Sequence, residues 1–368
     1  MPTSFLSKLR DATDVYTFRD YMLLPGRSDV EPNEIDLSTR ATKSISISIP
    51  LISSPMDTVT EWKMALAMAR LGGVGVIHRN MSAVDEVEQV RKVKAASGRI
   101  RSLDSKGRAL VGAAVSPLDP DRCKALDGVA DFLVADVAHF HTKKVLEATR
   151  KLLPQLSSDF IAGNIGTAAA VRDIMEEIPA VAGLRAGIGS GSVCSTTEVT
   201  GVGAPTLFAV AEVASAQGGK ARVPIIGDGG IRGPGDATLA LAAGASSVIL
   251  GTMLAGSNEA PGNRATVHGE RMKIHRGMAS AGARGVRFAL DRYAVPAKGL
   301  DEGIETYVRC TGPAGGAIST MENGLRAAFG YAGAPSIAGL WRVARFGVVT
   351  NSSKDKLQPY TRRLKGAA

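Results

Sequence analysis

Eight short apolar runs, most of them followed by helical stretches, set the strongest limit on what this chain can fold into. The runs are 50–54, 75–77, 109–115, 132–135, 160–163, 184–187, 224–227 and 247–250. They are near-continuously apolar rather than alternating, as strands buried on both faces are. Helical patterns occupy 61–71, 143–153, 168–177, 206–216 and 235–243. Repeating βα units of this kind build a parallel sheet, and eight of them predict a closed (β/α)8 barrel, with an open doubly wound sheet as the alternative. Aromatic residues make up only 5% of the chain, so Ala, Val, Ile, Leu and Met must fill the core, and the 42 glycines suit many tight βα turns. A length of 368 residues fits one barrel with insertions, and we expect a single catalytic domain over 1–368. About one hundred residues follow the eighth run, too many for one closing helix. The stretches 299–303 and 312–316 read as irregular, so this region is expected to form a lid plus terminal helices.

Composition narrows the function. No apolar run is long enough to cross a membrane, and the N-terminus lacks the apolar core of a secretion signal. Three cysteines, Cys123, Cys194 and Cys310, are too few and odd in number for a disulfide framework and point to a reducing, cytoplasmic setting. The net charge of +9 favours anionic ligands. Basic residues are dispersed and not interleaved with aromatics, so small phosphorylated molecules are expected rather than nucleic acid. His139 and His141 have no third ligand at zinc spacing.

In either fold, ligands sit at the carboxyl ends of the strands, and polar residues cluster there. Ser54, Met56 and Asp57 follow the first run, His78 and Arg79 the second, and Asp136 the fourth. Asn164 follows the fifth, Cys194 the sixth, Asp228 the seventh and Thr252 the eighth. Cys194 lies in the glycine-rich loop 187–197, a setting for a nucleophilic thiol, while core packing or a structural role is expected for Cys123 and Cys310. Asp228-Gly229-Gly230 and Gly251-Thr252 each form a strand-end glycine turn before a helix, the usual barrel phosphate cradle, and Ser192 can add a hydroxyl. Asp228 suits a ribose diol, and Asp136, placed on the opposite side, suits that of a second nucleotide.

The same segments resemble the family of IMP dehydrogenase and GMP reductase. Besides Asp228–Gly230, the matching stretches are 16–28, 54–61, 76–81, 162–164, the Cys194 loop with 200–203, 250–256 and 276–278. The resemblance covers nearly the whole chain and implies a homotetrameric, NAD-dependent oxidoreductase that converts IMP to XMP through a thioimidate on Cys194, assisted by Thr196. It implies that Ser54, Met56, Ser192, Gly230, Gly251, Thr252, Gly277, Met278 and Glu302 join Asp228 in holding IMP. Asp136, Asn164, Gly187 and Gly189 would line the NAD side. Carbonyls of Gly189, Gly191 and Cys194 resemble the family's potassium site. Arg292-Tyr293 matches the pair whose arginine activates water in the dehydrogenases, which favours that branch over GMP reductase, while a catalytically silent nucleotide-binding paralogue is a further alternative raised by two departures. His275 stands where the family usually has a phosphate-contacting tyrosine, and Ala279 where it has glycine. The direct run from Lys94 to Ser105 leaves no room for the CBS-domain pair typical of relatives.

Overall fold

A computed structural model describes residues 5–218, 223–285 and 301–350. Eight parallel strands close a barrel: β1 (Leu51–Ser53), β2 (Val74–Ile77), β3 (Val111–Val115), β4 (Phe132–Ala135), β5 (Asp159–Ile165), β6 (Gly183–Ala186), β7 (Ile225–Asp228) and β8 (Ser247–Leu250). Closure comes from β8 pairing with β1, with Val248 opposite Leu51 and Leu250 opposite Ser53. The open-sheet alternative is thereby excluded.

Side chains alternate between two cores, as the two-residue period of a strand requires. Ile52, Val76, Phe132, Val134, Ile161, Ile226 and Ile249 fill the barrel interior. Leu51, Ile77, Leu133, Ala135 and Leu184 face outward and pack under the helices. Those helices are α1 (Trp62–Leu71), α2 (Ala83–Lys94), α3 (Pro120–Leu126), α4 (Lys143–Leu152), α5 (Ala168–Glu177), α6 (Thr206–Ala216) and α7 (Pro234–Ala242). Several begin on hydroxyl caps: Ser82, Thr142 and Thr167 accept backbone N–H groups of Asp85, Val145 and Ala170. A small hairpin, Thr39–Arg40 against Ser46–Ile47, sends Ala41 and Ile47 into the interior core. Thr42 of this hairpin bonds Asp159 at the start of β5, so the plug sits at the amino-terminal end of the barrel. The carboxyl end is left for ligands.

The region after β8 departs in part from expectation. Residues 301–304 and 310–313 lie outside named helices and strands, but β9 (Arg264–Val267), β10 (Glu270–Arg276) and β11 (Glu305–Arg309) add an antiparallel sheet, and α8 (Ala314–Ala332) is a 19-residue helix. Gly315 and Gly316, read as breakers, lie in its first turn. Ile318, Met321, Leu325, Phe329 and Ala332 form a buried stripe along the helix, which packs against α7 and α1 and completes the helical ring. Burial of that stripe outweighs the glycine cost of about 1 kcal/mol per residue. Farther along, Phe346–Val348 pairs with Tyr21–Leu23. Between α2 and β3 the connection is short and pinned, with Lys94 Nζ 3.0 Å from Asp104 and 2.5 Å from Asp131.

Candidate active site

A cavity of about 710 Å³ opens at the carboxyl end of the barrel, within the range of small-molecule sites. Every residue expected to hold nucleotide or cation or to react lines it among the described ones, whereas Asp57, His78 and Arg79 of the strand-end cluster do not. Ser54 and Met56 come from the loop after β1, Asp136 from β4 and Asn164 from β5. Gly187, Gly189, Gly191, Ser192, Cys194 and Thr196 follow β6, Asp228 and Gly230 close β7, and Gly251 and Thr252 follow β8. Gly277, Met278 and Glu302 reach in from the added sheet. Arg292 and Tyr293 lie outside the described residues.

The Cys194 loop is clamped rather than free. Val193 accepts the backbone N–H of Ile304 at 3.0 Å, and Ser195 donates to the Glu302 carbonyl at 3.2 Å. Cys194 and Gly303 form an isolated antiparallel bridge. On the far side Gly277 donates to Ile304 at 3.0 Å, and a Cβ there would stand 2.5 Å from the Val193 carbonyl oxygen. Only glycine permits that approach. The thiol of Cys194 lies 3.2 Å from the Thr196 hydroxyl, which opens a short helix, Thr196–Thr200. Glu302 is buried at 3% exposure beside it.

Across the cavity floor runs a network of charged side chains. Arg185, on β6, donates from Nε to Asp228 at 2.9 Å and from Nη1 to Asp136 at 3.4 Å. Arg79 approaches Asp136 from the other side at 3.6 Å. Asn164 donates to Asp228 at 2.7 Å and to the Gly187 carbonyl at 2.8 Å. One guanidinium thus bridges Asp228, at the end of β7, and Asp136, after β4 three strands away around the barrel, and Asp136 is 1% exposed. The physical reason is that a carboxylate inside a barrel must be paired. Sequence reasoning passed over Arg185, and its signal was an arginine inside the strand run Gly-Leu-Arg-Ala.

The glycine turns after β7 and β8 converge as expected. Gly229 has φ of +98° and passes so close to the loop after β6 that a Cβ would meet Ser190 Oγ at 2.7 Å. Thr206, also passed over, holds this turn by donating to the Asp228 and Gly229 carbonyls at 2.6 and 2.8 Å. The helix after β8 is a single turn, Thr252–Ala255. What that strand end contributes is hydroxyl chemistry: Ser192 Oγ bonds Thr252 Oγ1, and Thr252 Oγ1 lies 3.0 Å from His275 Nε2.

The added sheet is tied to the barrel by Arg276, which donates from Nη2 to Asp57 Oδ2 at 2.6 Å and from Nε to both carboxylate oxygens. That bond raises the guanidinium above its ordinary range. Asp57 also accepts from Asn80 at 2.9 Å. Away from the cavity, Cys123 is fully buried, and burial pushes its thiol up to about 12, so it packs as an apolar residue. His141 pairs with Asp173 at 2.7 Å.

A closed barrel with a cysteine on the loop after β6, facing a cavity at the strand ends that hydroxyls and carboxylates also line, is the architecture of a (β/α)8 enzyme. The IMP dehydrogenase / GMP reductase domain matches residues 15–359. Inosine-5′-monophosphate dehydrogenase of Korarchaeum cryptofilum is 36% identical over 459 aligned positions, covering 94% of this chain and 96% of that protein. The namesake enzyme of Cryptosporidium parvum is 38% identical over 373 positions, covering 91% and 92%. Among solved structures, a cysteine-to-alanine variant of GMP reductase from Trypanosoma brucei, in complex with guanosine 5′-monophosphate, superposes with a TM-score of 0.88. It has 27% identity and covers 97% of this chain and 100% of that one. The chain belongs to the IMP dehydrogenase / GMP reductase family of oxidoreductases. The alignment with the Korarchaeum protein is longer than this chain, so that relative carries segments absent here.

Proposed function

We propose that this protein is an NAD-dependent IMP dehydrogenase. The observation that carries the reading is the clamped Cys194 loop, which holds a thiol beside Thr196 and Glu302 in a cavity that also contains paired hydroxyls, glycine turns and Asp228. Curated relatives named as IMP dehydrogenases match nearly the whole chain.

In this reading the phosphate of IMP lies against Ser192, Gly230, Gly251 and Thr252, with Ser54 and Met56 alongside. Asp228 takes the ribose hydroxyls. Gly277, Met278 and Glu302 border the purine. The Cys194 sulfur adds to C2 of the base and its proton leaves. NAD bound on the Asp136, Asn164, Gly187 and Gly189 side would take the C2 hydrogen as hydride, which would leave a thioimidate on the Cys194 sulfur. Water then adds to C2, the carbon–sulfur bond breaks, and XMP and the thiol are released. Thr196 assists at the sulfur, and Arg292 with Tyr293 activates the water. Asp136, Asn164, Gly187 and Gly189 border the NAD side. The carbonyls of Gly189, Gly191 and Cys194 suit a potassium ion, which is coordinated by carbonyl oxygens. Those of Gly189 and Gly191 already accept from Thr197 at 3.5 Å and Cys194 at 3.1 Å, and each has a second lone pair. We further propose one catalytic domain acting as a cytoplasmic homotetramer. The three free thiols fit a reducing compartment. With the 94–105 connection short and pinned, no regulation through a CBS pair at that point is expected.

The test is paired: pure protein with IMP and NAD, and separately with GMP and NADPH. NADH formed in the first and no NADPH consumed in the second supports the dehydrogenase. NADPH consumed only in the second assigns GMP reductase instead, and binding of IMP with no turnover in either assigns a silent paralogue.

A further inference from the structure

His275 has 0% exposure, and both ring nitrogens reach hydroxyls, one of which leads to the cavity. Nδ1 lies 3.0 Å from Thr58 Oγ1, and Nε2 lies 3.0 Å from Thr252 Oγ1. Thr252 Oγ1 in turn bonds Ser192 Oγ, and Thr252 and Ser192 line the cavity. Burial pushes the imidazole down to about 4, against the opposing pull of Asp57, so the ring is neutral and carries one N–H.

The Thr58 side points to which nitrogen holds that hydrogen. Thr58 is buried, its Oγ1 accepts the backbone N–H of Arg276 at 3.4 Å, and among the described residues Nδ1 is the one acceptor within reach of its own proton. The ring hydrogen then sits on Nε2 and is donated to Thr252 Oγ1. Thr252 keeps its proton for Ser192 or the cavity. In the opposite tautomer Thr252 would spend its proton on Nε2 and turn only lone pairs outward, which repel an anion.

We propose that His275 is a positioning residue for the substrate's 5′-phosphate: held by Thr58 as the Nε2–H tautomer, it makes the Thr252 and Ser192 hydroxyls donors toward the phosphate oxygens. This rests on the nucleotide reading above and specifies how this chain recognises phosphate with a neutral imidazole in place of the tyrosine usual in the family. Hydrogen bonds to a phosphate are charge-assisted and stronger than neutral ones.

The experiment measures IMP affinity by calorimetry without NAD, and turnover with saturating NAD, for the wild type, His275→Phe, His275→Gln and Thr58→Val. His275→Phe is expected to weaken IMP binding about tenfold or more, as loss of a hydrogen bond serving a charged group does, with kcat at saturating IMP within about threefold. His275→Gln, which keeps a donor and an acceptor, recovers most of the affinity. Thr58→Val leaves the imidazole in place, frees its tautomer and gives an intermediate loss. Nitrogen-15 spectra of the histidines, assigned through the His275 variants, should show hydrogen on Nε2. A wild type that binds IMP while both His275→Phe and Thr58→Val bind it equally well overturns the proposal, as does an Nδ1–H tautomer. A wild type that binds no 5′-mononucleotide overturns the nucleotide reading itself, and this inference with it.

Discussion

Replacing Arg185 with methionine tests whether the charge network across the cavity floor is held together by one side chain. Its guanidinium is 2.9 Å from Asp228 and 3.4 Å from Asp136. At an effective dielectric constant of about 20, each contact supplies a gross attraction on the order of 5 kcal/mol. Desolvation of the buried guanidinium offsets much of this. In Arg185→Met, Asp136 keeps Arg79 at 3.6 Å and Asp228 keeps Asn164 at 2.7 Å, but one cation is gone from between two carboxylates. Removing one partner of a buried pair costs about 3–5 kcal/mol, because an uncompensated charge stays behind. The urea denaturation midpoint should fall accordingly. Adding Asp228→Asn removes the carboxylate left without a cation, so the double variant should regain at least about 1 kcal/mol over Arg185→Met alone. Arg185→Lys should fall between, since an ammonium does not span both carboxylates as the fork does. A single Met variant within about 1 kcal/mol of the wild type would refute the reasoning. So would a double variant destabilised by the full sum of its parts.

Three further outcomes are expected. Cys194→Ala should abolish NADH formation while IMP still binds in calorimetry; retained turnover would remove the covalent step. A thiol reagent should label Cys194 well before Cys123, whose buried thiol is pushed up to about 12, and mass spectrometry of the peptides reads the order directly. Burial pushes the Asp104 carboxyl up, but the Arg108 backbone N–H and the Lys94 ammonium outweigh it and bring it to about 2. A depressed carboxylate stabilises above its unfolded value and loses that contribution as pH falls through its folded one. Asp104→Asn should therefore cost about 1–2 kcal/mol at neutral pH, allowing for solvent screening, and the gap to wild type should close between about pH 4 and 2; a gap independent of pH would count against the assignment.

How legible the molecule is varies with the range of the interactions. The strand runs 132–135 and 247–250 and the helices 168–177 and 206–216 match the observed bounds, because burial on both strand faces and helical periodicity are both local patterns. The start of α8 was hidden because Gly315 and Gly316 read as breakers, and only packing against α7 and α1 overrides them. The sheet of β9, β10 and β11 was hidden because its strands are short, partly exposed and recruited from both sides of the 286–300 stretch. Arg185 and Thr206 escaped notice because their partners lie in other strands and loops.

By itself the sequence determined the repeating βα order, the strand-end position of Cys194, Asp228 and Thr252, and the family resemblance, since these depend on neighbours along the chain. Only the tertiary structure decided that Asp136 and Asp228 share Arg185, that Gly277 and Gly303 brace the cysteine loop, and that His275 stands between Thr58 and Thr252. Each of these brings together residues far apart in sequence. What selects them is the need to pair every charge and polar group that barrel closure removes from water.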